Sequence, residues 1–374
     1  MYDAIVVGCG AVGSAALLEL ADRGAKALGV DRFSPPHDRG SSHGRSRLIR
    51  KAYFEHPDYV PLVLRAYELW RRLEARSGRS LLHETGLVQI GPADGAVVPG
   101  VRDSVRRHGL AIEELRPAEA QRRFPGLLVL EDQEVLFEPD AGFLDVEDCI
   151  EATLALAQQA GATLLRDEPV LDWGPEGAGW RIRTARGAYA AGRLVLAGGA
   201  WSSQILRSLR LPLTVLRKTL HWFEVEPGAY LARDGFPAFL AERPEGVFYG
   251  FPVLDDWGLK AAEHTGGAAA PDPDALDRDE RPEDSAGVRE FLRRQLPRCR
   301  GRQTRFCVCM YTMTPDAHFV VDRHPERAGV AFAAGLSGHG FKFAPALGEI
   351  LAELTLEGRA QRGAEFLSAS RFSR

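Results

Sequence analysis

Apolar residues at the start of the chain fall into two short runs separated by a helical stripe. Tyr2 to Val7 is apolar, rich in β-branched residues and without alternation, as a strand buried on both faces requires. Val12, Ala16 and Leu20 then recur within Ala11 to Arg23, and Gly24 is placed as a helix stop. Lys26 to Val30 reads as a second buried strand ending at Asp31. The order predicts a βαβ unit.

Beyond the break at Pro35-Pro36, Leu62, Ala66, Leu69 and Leu73 share one helical face. Residues 81–144 alternate and carry many Gly and Pro, which predicts antiparallel strands and turns. Leu194 to Ala197 is a strand running into the turn Gly198-Gly199, and Ser202 to Leu209 is helical in pattern. Val215 to Val225 and Val247 to Leu254 read as strands, and the Ala-, Pro- and acid-rich Thr265 to Ser285 as a solvated excursion. Phe319 to Asp322 and Val330 to Ala334 close the strand set. A helix begins near Ala344 with Leu347, Ile350, Leu351 and Leu354 on one face.

Chemistry concentrates at three glycine-rich stretches. Gly8, Gly10 and Gly13 lie between a strand and a helix, where they can form a tight turn, admit a pyrophosphate and let the helix pack closely. Asp31, eighteen residues past Gly13, sits where an acid can bind a ribose hydroxyl. Gly335-Leu336-Ser337-Gly338-His339-Gly340 supplies a second set of backbone N–H groups just ahead of a helical pattern, with Lys342 beside it. Such a pair of loops fits FAD better than a nicotinamide, because a reduced flavin ring gains negative charge that a helix N-terminus and a lysine offset. The third stretch, Gly40 to Lys51, holds Arg45, Arg47 and Arg50 in what reads as a glycine- and serine-rich loop, where a guanidinium can grip a carboxylate. By themselves Cys309, Lys260, Tyr249 and Tyr311 read better as buried core or strand positions than as site residues.

These stretches, with Tyr249-Gly250-Phe251-Pro252, Gly258-Leu259-Lys260, Cys309-Met310-Tyr311-Thr312, Asp322-Arg323-His324-Pro325 and Gly335 to Phe343, resemble the monomeric sarcosine oxidase family. That family of FAD-dependent amine oxidases includes N-methyl-L-tryptophan oxidase and L-pipecolate oxidase, and the resemblance runs from Tyr2 to about Phe372. It implies an α/β fold: a Rossmann-type FAD-binding domain from 1–80, 145–214 and 318–374, and a β-rich substrate domain from 81–144 and 215–317. It implies oxidation of a secondary α-amino acid (sarcosine, L-pipecolate, L-proline or an N-methyl amino acid) to an imine, with oxygen reduced to hydrogen peroxide. Cys309 matches a cysteine joined covalently to the flavin, with Cys307 the alternative thiol. Lys260 matches a lysine that activates oxygen, and Arg50 and Lys342 match a carboxylate clamp. Arg47 matches a second arginine near the ring, and Tyr249, Tyr311 and His264 line the substrate cavity. Ala11, Val12, Ser42, His43, Val170, Gly198, Trp201, Gly338, Gly340 and Phe341 join the glycines and Asp31 as expected cofactor contacts. Arg45 stands where relatives favour an acid. The competing readings are a dehydrogenase of the same fold using another acceptor, a nicotinamide-dependent dehydrogenase, and a non-catalytic flavin-binding protein.

Composition narrows the setting. At 374 residues two domains are expected, at roughly 150 residues each. A net charge of −4 gives no reason to expect nucleic acid, and no apolar run approaches the ~18 residues of a membrane span. The five scattered cysteines and the histidines lack metal-ligand spacing, so no metal is expected. The early strand leaves no room for a signal peptide and the C-terminal Arg371-Phe372-Ser373-Arg374 is no peroxisomal address, so a cytoplasmic protein is expected, and the resemblance implies a monomer.

Overall fold

A computed structural model describes residues 1–361 and 365–372, and statements of number or absence below refer to these. Five residues of the expected 318–374 segment fall outside them, 362–364 and 373–374, the last two being Ser373-Arg374.

The βαβ unit forms as Tyr2–Val7, Ala11–Asp22 and Ala27–Val30. Tyr2–Val7 pairs in parallel with Ala27–Val30 on one side and Ala188–Leu196 on the other. Val330–Ala334 and Thr163–Leu165 extend the parallel core of this eight-stranded sheet, and the Val170–Glu176/Gly179–Thr184 hairpin adds an antiparallel flank. Strands buried on both faces explain the unbroken apolar runs. The helices Ala11–Asp22, Tyr59–Ser77, Val146–Gln159 and Ala344–Leu356 contribute to one core, in which Leu17, Leu20, Leu347 and Leu351 are fully buried.

A nine-stranded, mostly antiparallel sheet draws on other stretches, 87–138, 214–269 and 299–313. Its longest pairing joins Thr214–Val225 to Cys299–Met313. Three short strands, Leu82–His83, Ser46–Ile49 and Gly142–Asp145, form a third sheet. Arg47 therefore lies on a strand, opposite Leu144, and not in the loop that its glycine- and serine-rich surroundings predict. The 81–144 stretch also departs from an all-strand reading, since it contains the helices Val97–His108 and Pro117–Arg123. Ser202–Ile205 is only a short α-helix, followed by a 3-10 turn at Arg207–Leu209. The 265–285 excursion is anchored: buried Arg217 bonds the Asp277 and Asp279 carbonyls and pairs with Asp284 at 2.6 Å. No helix is long and apolar enough to cross a membrane.

Candidate active site

The first glycine loop is fixed by close backbone approaches. Gly8 has φ +87°, and a Cβ there would lie 2.4 Å from the Ala197 carbonyl oxygen. A Cβ on Gly13 would lie 1.7 Å from the Gly8 carbonyl oxygen, so only glycine lets helix and strand come this near. Nothing stands closer than Ser42 Oγ, at 3.9 Å, to a Cβ on Gly10, which leaves the backbone open at the N-terminus of Ala11–Asp22. Buried Asp31 accepts the Cys9 N–H at 2.6 Å and the Phe33 N–H at 2.8 Å. Each carboxylate oxygen keeps a lone pair that can take a hydroxyl hydrogen bond.

From this loop a cavity of about 580 Å³ runs into the interface of the two large sheets. Gly8, Gly10, Ala11, Val12, Gly13 and Asp31 line one end, with Val170, Gly198 and Trp201 beside them. Ser42 and Arg47 line its middle, and Gly338, Gly340, Phe341 and Lys342 bound it from the C-terminal loop. Arg50, Tyr249, His264 and Tyr311 line the other end. A single cavity is thus lined by both glycine sets. A cradle that only glycine permits, an open helix N-terminus and a buried acid fit the pyrophosphate and ribose of FAD.

Three expected residues stand behind this wall. Buried Cys309 has its Sγ 3.5 Å from Arg47 Nη2 and 3.5 Å from the Ser41 carbonyl oxygen. Buried Lys260 donates to the Gly44 carbonyl at 2.6 Å, the Ser46 carbonyl at 2.8 Å and Ser46 Oγ at 3.2 Å. His43 is buried with Nε2 unpartnered, and burial followed by Arg47 pushes it down to about 3, so it is neutral. Cys307, two residues before Cys309 on the same strand, is half-buried, and burial holds its thiol up at about 11.

At the far end a cation with unmet donors, Arg50, stands among neutral rings. Arg50 is 3% exposed, yet its Nε and Nη1 have no partner, and only Nη2 reaches Glu55, at 2.7 Å. The rings of Tyr53 and Phe54 lie 4.2 Å and 4.7 Å from its guanidinium carbon. Lys342 Nζ donates to the His339 carbonyl at 2.8 Å. Burial, then Arg50, brings its pKa down to about 7. Lys342 lies on a 3-10 turn, Phe341–Phe343, and the α-helix starts only at Ala344. His264 is pushed down to about 3 by burial, and burial raises both Tyr249 and Tyr311. Their rings sit 6.4 Å and 5.7 Å from His264, and Tyr311 packs against Gly338, where a Cβ would lie 2.4 Å from it.

The structure also brings in residues that the sequence reading missed. Glu55 lines the cavity as the partner of Arg50, and Leu48, Leu240 and Met310 give it apolar walls. Tyr53 places its hydroxyl 2.5 Å from His339 Nδ1. Asp274, from the 265–285 excursion, accepts from Trp201 Nε1 at 2.9 Å and pairs with Arg32 at 2.8 Å, beside the cofactor end. Lone carboxylates such as these carry no spacing signal.

Residues 3–354 match the family model described as FAD dependent oxidoreductase. The chain is 41% identical to monomeric sarcosine oxidase of Bacillus sp. (strain B-0618), over 99% of this chain and 96% of that one. It is 37% identical to N-methyl-L-tryptophan oxidase of Yersinia pestis (strain Pestoides F), over 94% of each. Among solved structures, NikD, an unusual amino acid oxidase essential for nikkomycin biosynthesis, in its Tyr258Phe open form superposes with TM-score 0.86 and 28% identity, covering 98% of this chain and 96% of that one. L-proline dehydrogenase from P. horikoshii superposes with TM-score 0.87 over 100% of this chain and 98% of that one, and at 24% identity shares the fold alone. The chain therefore belongs to the FAD-dependent oxidoreductase family, in the group that contains monomeric sarcosine oxidase and N-methyl-L-tryptophan oxidase.

Proposed function

We propose that this enzyme oxidises the C–N bond of a secondary α-amino acid such as sarcosine, L-proline, L-pipecolate or an N-methyl amino acid, releasing an imine and hydrogen peroxide. The observation that carries this reading is Arg50: a buried guanidinium at the cavity with two nitrogens unpartnered and Lys342 nearby. An unpaired buried donor of this kind is costly, and a carboxylate offers it planar, two-point hydrogen bonding. The names of the relatives above, sarcosine and N-methyl-L-tryptophan oxidases, support a substrate that joins a carboxylate to a substituted amine.

FAD, when bound along the cavity, supplies a two-electron acceptor that takes a hydride equivalent from the carbon next to nitrogen and passes the electrons to oxygen. Gly8, Gly10, Gly13 and Asp31 would hold its dinucleotide end, and the Gly338–Lys342 turn its ring. Cys309 would carry the covalent link. Arg50 and Lys342 fix the substrate carboxylate, and holding one end of a small molecule orients the reacting carbon, a proximity effect that contributes several kcal/mol. Burial makes His264 too weak a base and keeps Tyr249 and Tyr311 protonated, so they shape the cavity without taking the amine proton. The substrate must then shed that proton to water, and the reaction speeds up as pH rises through the bound amine's pKa. A charged Lys260, just outside the cavity lining, would offset the negative charge that oxygen gains when it is reduced.

Oxygen uptake and peroxide formation, measured with each of the four substrate types and with glycine as the primary-amine control, test this reading. Turnover without oxygen uptake would instead assign the protein to the dehydrogenases.

A further inference from the structure

Lys260 is held by a short piece of unusual backbone. Gly44 and Arg45 both have positive φ, +87° and +71°. For arginine that conformation costs on the order of 1 kcal/mol or more, so neighbouring contacts must enforce it. Two left-handed residues in succession turn the Gly44 and Ser46 carbonyls toward one point, and Lys260 Nζ occupies it, at 2.6 Å and 2.8 Å, with Ser46 Oγ at 3.2 Å. All three ammonium hydrogens are thereby used. The stem runs past the rings of Phe251 and Trp222, with Nζ 4.8 Å and 5.3 Å from their centres.

The turn is fixed from outside by Glu147, in the first turn of helix Val146–Gln159. Its Oε1 accepts the Gly44 N–H at 2.7 Å, and Oε2 accepts the Arg45 N–H at 3.1 Å. A carboxylate there is also favoured by the helix dipole. The Val146 N–H donates to the Arg45 carbonyl at 2.8 Å, so that oxygen is engaged by the helix while Lys260 takes the Gly44 and Ser46 carbonyls on either side. Arg45 closes the outer side through its ion pair with Asp255 and its place 5.0 Å over the Trp257 ring.

We infer that Glu147 is a positioning residue for oxygen reduction: it folds Gly44–Ser46 into a carbonyl cage that keeps Lys260 in place and charged. The inference rests on the role given to Lys260 above. Burial strongly favours the neutral amine, with Arg47 adding to it; the negative charge of Glu147 is among the groups that oppose this loss, and the cage carbonyls, by accepting the ammonium hydrogens, act in the same direction. In the step concerned, oxygen takes up two electrons from the reduced cofactor and two protons, and leaves as hydrogen peroxide. A fixed ammonium stabilises the charge that builds before the protons arrive.

The test is a double-mutant cycle on the two half-reactions, followed by stopped-flow absorbance of the holoenzyme. Glu147→Ala should slow reoxidation by oxygen roughly tenfold or more while leaving anaerobic reduction by substrate within about threefold. In a Lys260→Met background the same change should add nothing, because its effect passes through Lys260. Glu147→Gln keeps an oxygen able to accept both N–H groups and should restore most of the rate. A brief acetic anhydride pulse read by mass spectrometry should leave Lys260 unlabelled in the parent and in E147Q, and label it in E147A. If E147A does not fold, Glu147→Asp, which withdraws the carboxylate by one methylene, should show the same pattern in smaller degree. Additive effects of E147A and K260M, or a Lys260 equally protected in every variant, would overturn the inference. A Lys260→Met variant that reoxidises at the parental rate would instead remove the role given to Lys260, separately from that of Glu147.

Discussion

Glu55 holds only one nitrogen of Arg50: both carboxylate oxygens lie 2.7 Å from Nη2, while Nε and Nη1 stay without partners. The pair is thus half-made, and an incoming carboxylate has donors to bind without first breaking it. Arg50→Ala should raise KM by about a hundredfold, and Arg50→Lys should recover little, since a point charge lacks the planar fork. Glu55→Gln removes a competing anion and should tighten binding of cyclopentanecarboxylate, an unreactive acid shaped like proline but without its nitrogen. Weaker binding in E55Q, by titration of the flavin spectrum, would contradict this arrangement.

Lys342 gives that binding a pH dependence. Its pKa is brought down to about 7 by burial and Arg50, and a bound carboxylate favours the charged form and raises it. Binding therefore takes up a proton above pH 7, and affinity for cyclopentanecarboxylate should fall as pH rises through 7 to 9. Substrate oxidation has the opposite trend from amine deprotonation, so the amine-free acid isolates the lysine. Lys342→Met should bind weakly at all pH values with a flat profile; a flat profile in the parent would exclude the lysine from the clamp.

Cys309 and Cys307 should differ in flavin attachment. Neither thiol lines the cavity, but Cys309 Sγ is beside Arg47 and the Ser41 carbonyl, both of which do, whereas Cys307 Sγ stands by Gly44, which does not. Acid precipitation of the parent and of Cys307→Ser should leave yellow pellets, and Cys309→Ser should release its flavin to the supernatant. Yellow pellets from C309S and a colourless one from C307S would move the link to Cys307.

Buried histidines make the fold acid-sensitive in a defined window. His43 and His264 are both pushed down to about 3 by burial, against an unfolded value near 6.5. Below pH 6.5 the unfolded chain binds more protons than the folded one, so stability is full above that value and falls as pH drops toward 3. Each histidine contributes a slope of up to about 1.4 kcal/mol per pH unit. Urea unfolding at pH 7 and pH 5.5 should show the loss before most carboxylates titrate, and His264→Asn should reduce it. Equal stability at the two pH values would contradict the neutral, buried assignment.

What the sequence made legible follows from how local each signal is. The βαβ unit shows because Tyr2–Val7 is apolar throughout and Gly8 and Gly13 sit at fixed offsets from it. Ser46–Ile49 does not, because Ser-Arg-Leu-Ile has no strand pattern and its partner, Gly142–Asp145, is almost a hundred residues away. The helix Val97–His108 hides for a different reason: Val97, Val98 and Val101 form its buried side, and β-branched residues point toward strand. Arg50 and Lys342 stand out as charges in glycine-rich stretches. Glu55 and Glu147 gain meaning only from what folding places against them, a guanidinium and two backbone N–H groups.

The central claim is most directly tested by the visible spectrum of the purified protein under anaerobic conditions, before and after adding sarcosine, L-proline and L-pipecolate separately. A yellow protein is expected, whose flavin band one or more of these bleaches, with colour restored and peroxide formed when oxygen is admitted. A yellow protein that none of them bleaches would contradict the proposed substrate class.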